Sequence, residues 1–272
     1  MNITRLCNIV NMSRQNYYKS RRNRKHLEVN ETFILSLVRR ERAVQPRLGC
    51  RKLLHILRSE FEDCGVSIGR DRFFKLLSIN KLLIKRCSRC PRTTNSRHWF
   101  GVYRNLYKDV QLKNPCQAVV SDITYIRTDE GFLYLSLIMD AYSRAIVGYD
   151  CSDSLEAEGA LRSLSMAIKN LQTSSGVIHH SDRGIQYCCY EYVKSLKQGG
   201  FLISMTEENH CYENSKAERL NGILKGEYGL GCRFLSKSDA LKAVDEAVNL
   251  YNYRRPHQKL GYRCPMDVHL AA

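Results

Sequence analysis

Apolar positions recur at helical spacing through the first eighty residues and change to strand-like runs after residue 116. Ile3, Leu6, Ile9 and Val10 keep a helical period. Asn11-Met12-Ser13 then supplies a turn and an N-cap before RQNYYK, so residues 3–20 read as two short helical pieces. That is the pattern of a helix-turn-helix, or its tail end, and equally of a plain helical hairpin. The run RRNRKH at 21–26 reads as a basic linker. Residues 28–44 predict a helix with Val29, Phe33, Leu37 and Val38 inward, ended by Gln45-Pro46-Arg47-Leu48-Gly49. A second helix covers 50–62 and a third 69–80, the latter with Arg70, Phe73, Phe74, Leu76 and Leu77. Three helices joined by short turns make a small trihelical module. Residues 86–115 are polar and aperiodic, with Pro91 and Pro115, and read as a linker.

The second half has a different rhythm. Ala118–Arg127 is rich in β-branched residues, Asp129-Glu130-Gly131 marks a turn, and Phe132–Met139 and Ala145–Tyr149 follow as strands, which predicts an antiparallel meander. A helix over 155–171, a strand at 177–179, a helix at 190–197, a strand at 201–205 and helices at about 213–226 and 238–252 complete the pattern. Three antiparallel strands followed by alternating strand and helix describe an α/β, or α+β, mixed sheet with helices packed on it.

Charge sharpens this division. The 272 residues carry 43 Lys+Arg against 27 Asp+Glu, a net of +16. Residues 1–115 hold a net of +18 and residues 116–272 a net of −2. A basic front half on a near-neutral back half points to a module that grips a polyanion, and nucleic acid fits better than a membrane surface because no lipid-inserting face accompanies the charge. In that module Arg14 and Gln15, near the start of the second helical piece, and Arg51 and Lys52 of the PRLGCRKLL segment are candidate DNA contacts. At 43% hydrophobic the chain can bury a core, and its longest apolar runs, such as Phe132–Met139, fall far short of the roughly 20 residues that cross a bilayer. Arg5, Asn8 and Asn11 break up any secretory signal, so a cytoplasmic protein without membrane partners is expected. The twelve cysteines should then stay reduced. Cys87–Cys90 forms a CxxC, but the second close pair that structural zinc needs is missing, which argues against zinc and for plain thiols.

Two aspartates stand where a strand should not want them. Asp122 interrupts Ala118–Ile126, and Asp182 ends the strand running through Val177-Ile178-His179-His180-Ser181. Buried carboxylates are costly unless they are paired or hold a cation. A third acid, Glu218, lies in a helical stretch where Asn214 and Lys225 share its face, at i−4 and i+7. Acids of this kind beside a basic side chain suit a hard cation such as Mg²⁺ that is shared with substrate phosphate. Asp140 and Glu227 read as structural, and His179 and His180 as packed, hydrogen-bonded imidazoles rather than a general base. With 27 carboxylates the spacing alone proves little; the local words SDITYI (121–126), HSDRGIQY (180–187) and ENSKAERLNGILKGEY (213–228) carry more.

Those words, with PRLGCRKLL (46–54) and the closing YNYRRPHQKLGYRCP (251–265), resemble the orfB-type transposases of the IS-three group of bacterial insertion sequences, whose core is similar to retroviral integrases. Thirty-five residues separate Asp182 from Glu218, matching the family's D-D-35-E pattern, and Lys225 stands where the family keeps a Lys or Arg. The resemblance implies a ribonuclease-H-like integrase core over 116–272, with C-terminal helices. Ahead of it come a partial helix-turn-helix and basic linker (1–26), an all-helical helix-turn-helix-like DNA-binding module (27–85) and a linker (86–115). It implies Asp122, Asp182 and Glu218 as catalytic ligands of two Mg²⁺ or Mn²⁺ ions, with no nucleotide cofactor, in keeping with the lack of a GxxxxGK[ST] loop. It also implies cleavage of element ends and joining of the 3′-OH to target DNA by a homo-oligomer. Lys225, Arg219 and Arg183 are the expected DNA contacts beside the acids. Two departures are plain: the integrase His-His-Cys-Cys zinc module is missing, and the upstream reading frame that usually supplies a helix-turn-helix and leucine zipper would have to act as a fusion or a separate chain. A non-catalytic DNA-binding regulator, or an inactive remnant that kept the fold, is the competing reading.

Overall fold

A computed structural model describes residues 3–84, 101–171, 173–207 and 213–271, apart from the side chains of residues 25 and 26. The CxxC at Cys87–Cys90 and residues 86–100 of the expected linker lie outside these residues. The chain divides into two compact units, residues 1–85 and 86–272.

The first unit is helical: α1 (Ile3–Ile9), α2 (Arg14–Val44), α3 (Cys50–Ile56), α4 (Arg58–Asp63) and α5 (Arg70–Ile79). Ser13 caps α2, its Oγ accepting from the Asn16 amide at 3.1 Å. The basic linker expected at 21–26 is instead the interior of this helix. No Gly or Pro interrupts residues 14–44, and Arg and Lys are good helix formers, so basic charge alone does not break the ladder. At 1.5 Å per residue, α2 is about 46 Å long. Its inward stripe is Ile34, Leu37 and Val38, packed with Leu53, Leu57, Phe73 and Leu77. Val29, expected inward, is exposed, because five residues before Ile34 it points about 140° away from that stripe. The expected helix over 50–62 is divided at Leu57.

The second unit is a mixed sheet of order β3-β2-β1-β4-β5, with a short β6 also pairing β1. β1 (Ala118–Thr128), β2 (Gly131–Asp140) and β3 (Ile146–Ser152) form the antiparallel meander. β4 (Ile178–Ser181) and β5 (Leu202–Met205) run parallel to β1. Strand parity builds the layers. Ala118, Val120 and Ile126 of β1 face one core with α9 (Ser215–Glu227) and α10 (Lys237–Tyr253). Val119 faces the other, with α6 (Ala157–Asn170), α7 (Ile185–Cys188) and α8 (Tyr190–Gln198). This is the ribonuclease-H-like α/β arrangement, an antiparallel meander extended by parallel strands and covered by helices on both faces. The α6 layer sits very close: a Cβ on Gly148 would overlap the Ser163 carbonyl and lie 2.9 Å from the Ala167 Cβ. Short elements escape the periodicity, namely α7, β6 (Arg233–Phe234), a 3₁₀ turn at Gln258–Leu260 and α11 (Pro265–Leu270).

Candidate active site

The parallel pairing of β1 with β4 sets the register Val120↔His180. Asp122 and Asp182 each come two residues beyond this last paired position, and the Asp182 charge reaches Asp122, whose side chain meets α9 through Asn221. Asp182 lies one residue beyond the end of β4, where its Oδ1 accepts from the Gly184 amide at 3.0 Å. A Cβ at Gly184 would stand 3.0 Å from that same oxygen and crowd it.

Asp122 is half-buried and is held by amides alone. Its Oδ1 accepts from the Ile123 amide at 2.9 Å and its Oδ2 from Asn221 Nδ2 at 2.8 Å. Burial, and then the neighbouring Asp182 carboxylate, push its carboxyl up to about 7; the two hydrogen bonds oppose the rise, and Glu218 adds a smaller push. A carboxyl poised near neutrality by crowded acids is a frequent mark of a functional site.

Sequence reasoning misses Asn221 as a partner of Asp122. Its position is legible, since it stands three residues after Glu218 and continues the stripe Asn214, Glu218, Lys225. Asn214 is buried at the N-cap position of α9, and its Nδ2 donates to the Ser121 carbonyl at 3.0 Å, which ties the helix to β1 one residue before Asp122. Glu218 lies in the first turn of α9, solvent-exposed and within electrostatic reach of Asp122. Among the described residues no three His, Cys, Asp or Glu side chains are gathered closely enough to hold a metal ion.

The two histidines before Asp182 point to opposite faces, and both are fully buried. His179 Nε2 meets Ser121 Oγ at 2.8 Å and the Tyr192 hydroxyl at 2.9 Å; His180 Nδ1 meets Ser204 Oγ at 2.9 Å. Burial pushes them down to about 3 and about 4, so both are neutral braces under the acidic strand end. Asp140 organises the β2–β3 turn, its oxygens accepting from the Cys116, Tyr142 and Ser143 amides and the Ser143 hydroxyl. Glu227 accepts both arms of the Arg255 guanidinium at 2.8 and 3.0 Å.

The basic candidates are more scattered. Arg183 follows Asp182 directly, and its Nε donates to the Thr206 carbonyl at 2.6 Å. Arg219 is exposed beside Glu218, and Lys225 is half-buried two turns further along α9. In the first unit Arg14 and Gln15 are exposed at the start of α2, Arg51 is exposed on α3, and Lys52 is half-buried. The nine described cysteines are free thiols.

Residues 113–211 match the family described as Integrase core domain, and residues 200–265 match a second family of the same description. The chain is 32% identical over 272 residues to the insertion element IS600 uncharacterized 31 kDa protein of Shigella sonnei, covering 96% of both chains. It is 30% identical to the transposase for insertion sequence element IS629 of Shigella sonnei, over 82% of this chain and 74% of that protein. With transposase InsF for insertion sequence IS3A of Escherichia coli (strain K12) it shares 29% identity over 97% of this chain and 92% of the other. The chain therefore belongs to the integrase-core DNA transposases of bacterial insertion sequences.

Proposed function

We propose that this transposase cleaves the ends of its insertion element and joins the resulting 3′-OH to target DNA, with Asp122, Asp182 and Glu218 as the catalytic carboxylates. The observation that carries the reading is the crowding of Asp122 by two other acids: burial and the Asp182 charge raise it toward neutrality, and Glu218 of α9 adds to the push. A hard divalent cation fits this donor set, since the oxygens are carboxylate and the partners of Asp122 are neutral amides that leave its charge uncompensated. Asp122, Asp182 and Glu218 would hold Mg²⁺ or Mn²⁺, as two ions. The metal would supply activation of the attacking hydroxyl or water and stabilisation of the leaving oxygen in an in-line displacement.

The chain's own part is positioning. Asn221 and the Ile123 amide fix both oxygens of Asp122, and the Gly184 amide fixes one oxygen of Asp182. The Asn214 bond to β1 anchors the start of α9 beside them. Glu218 stands exposed in the first turn of α9, within electrostatic reach of Asp122. Lys225, Arg219 and Arg183 flank the acids and would contact phosphates of the bound strand. Arg14, Gln15, Arg51 and Lys52 would serve the same DNA from the basic helical unit, residues 27–85 acting as the DNA-binding module and 116–272 as the catalytic core. The partners in this reading are the terminal inverted repeats, target DNA, further copies of the chain and the product of the upstream frame. Its site of action is the cytoplasm, on the nucleoid, where that DNA lies. Among the described residues no helix is long and apolar enough to cross a membrane.

The test is incubation of the reduced protein, alone and fused to the upstream frame, with a labelled duplex carrying the terminal repeat, in Mg²⁺, Mn²⁺ or EDTA. Metal-dependent nicking at the end, followed by joined products, both lost in Asp122→Ala, is the expected result. Bound but uncut DNA, identical for the fused form and the variant in every metal, would sink the reading.

A further inference from the structure

A cavity of about 670 Å³ opens where β2 ends and β1 begins, away from the acidic pair. Four cationic side chains line it, Arg144, Lys216, Lys259 and Arg263, with Tyr142 beside them and no carboxylate in its wall. Among the described residues none of the four forms an ion pair. The acid whose charge reaches Lys216, Asp140, is fully buried, and four hydrogen bonds from its own turn and Cys116 occupy it.

Arg144 lies in the β2–β3 turn with φ 67°, a left-handed conformation that it shares with Asn11, Lys81, Cys116 and Tyr262 and that glycine would occupy without cost, so its side chain can be removed there without straining the turn. Lys216 reaches the cavity from the first turn of α9, its Nζ donating to the Ala141 carbonyl at 3.2 Å and lying 5.0 Å from the centre of the Tyr107 ring. Four like charges around one opening, with no acid in its wall, repel one another until an anion enters.

We infer that this cavity is a binding subsite for the backbone phosphates of the DNA strand that crosses the acidic pair. The inference rests on the catalytic reading for the path of that strand. The amide of Ala141 bonds the carbonyl of Ala118, which is four residues from Asp122 along β1. At roughly 3.3 Å per residue the cavity mouth lies about 13 Å from the acids, some four nucleotides of duplex rise. Lys216 and Glu218 both stand in the first turn of α9, about 200° apart, so one helix end bears on the cavity with one side and on the acids with the other. A strand seated at Asp122 thus has phosphates within reach of the cavity.

The experiment measures binding of the full chain to a labelled duplex of about 30 base pairs by fluorescence anisotropy, across ~50–200 mM NaCl. Lys259→Gln with Arg263→Gln is expected to flatten the plot of log affinity against log salt by about 0.9 for each phosphate no longer neutralised. The swap Lys259→Arg with Arg263→Lys should restore the slope. Arg144→Gly should weaken DNA binding while keeping or raising the melting temperature, an outcome that a purely structural arginine would not give. A slope equal to wild type in the glutamine pair and in Arg144→Gly overturns the inference. So does inorganic phosphate, at matched ionic strength, competing better than chloride without any change in the DNA slope. Asp122→Asn runs alongside: its loss of cleavage with an unchanged salt slope keeps the catalytic reading whatever the cavity variants do. Unaltered cleavage in Asp122→Asn would remove that reading while the slopes still judge the cavity.

Discussion

Replacing Asp122 by Asn should stabilise the metal-free protein, and the reason is the crowding of carboxylates at the strand ends. Asp122 is pushed from an ordinary 3.8 up to about 7, first by burial and then by Asp182. At about 1.36 kcal/mol per pKa unit that rise corresponds to ~4 kcal/mol of strain on the charged form, and solvent screening of a half-buried group reduces the measurable part to about 1–2 kcal/mol. A folded-state pKa above the unfolded one means that the native state holds the proton more tightly. The penalty is therefore absent below about pH 4, grows as pH rises through the interval, and is complete above about pH 7. The amide of the Asp122→Asn variant carries no charge, and its carbonyl can still accept from Asn221. In EDTA at about pH 8 the variant should melt several degrees above wild type, at roughly 2–4 °C per kcal/mol, and at about pH 4 the two should coincide. Saturating Mn²⁺ should reverse the order, because ligand binding stabilises wild type in proportion to the logarithm of occupancy and the substitution removes one carboxylate ligand. Differential scanning fluorimetry at the two pH values, with EDTA and with Mn²⁺, reads every state. A variant less stable than wild type in EDTA at the higher pH, or an equal Mn²⁺ shift in both proteins, would refute the reasoning.

The other expectations follow from single interactions. Asn221→Leu removes a hydrogen bond that opposes the rise of the Asp122 carboxyl, so in EDTA the pH at which Asp122 begins to cost stability should move up by about 1 unit, the size of one charge-assisted bond of ~1.5 kcal/mol; a stability–pH curve superposing on wild type contradicts this. Gly148→Ala should cost about 1–3 kcal/mol in urea unfolding, since the added methyl meets the backbone of α6, and a neutral result would mean that α6 can lift off the sheet. Glu227→Ala should cost about 3 kcal/mol, because it strands the Arg255 guanidinium, 3% exposed, without its bidentate partner; a change below ~1 kcal/mol would show that Arg255 finds another acceptor.

Much of the fold is set by local chemistry, and that part is legible in the chain. The alternation of Ala118–Thr128, the turn at Asp129-Glu130-Gly131 and the long amphipathic run ending near Leu171 specify strand, hairpin and helix by themselves, because strand parity and helical spacing require only neighbouring residues. The oddity of Asp122 and Asp182 is visible for the same reason, as charge placed where a strand wants apolar side chains. The long α2 shows the limit: a basic run looks like a linker, yet without Gly or Pro nothing stops the hydrogen-bond ladder. Elements of two to six residues, such as α7, β6 and α11, carry too little periodicity to announce themselves.

What the tertiary structure alone decided is which groups meet. Asp122 and Asp182 are sixty residues apart in the chain, and only the parallel pairing of β1 with β4 brings their strand ends close enough for one charge to raise the other. Asn221 becomes the partner of Asp122 only because α9 packs against β1, and His179 and His180 become neutral braces only because two packed faces exclude water from them. The cavity cations likewise come from the β2–β3 turn, α9 and the segment around residue 260, three stretches with no common pattern in sequence. Spacing along a chain reports neighbours up to a helical turn away; pairings across a sheet depend on register and crossing angle, which are set by the packing of the whole core.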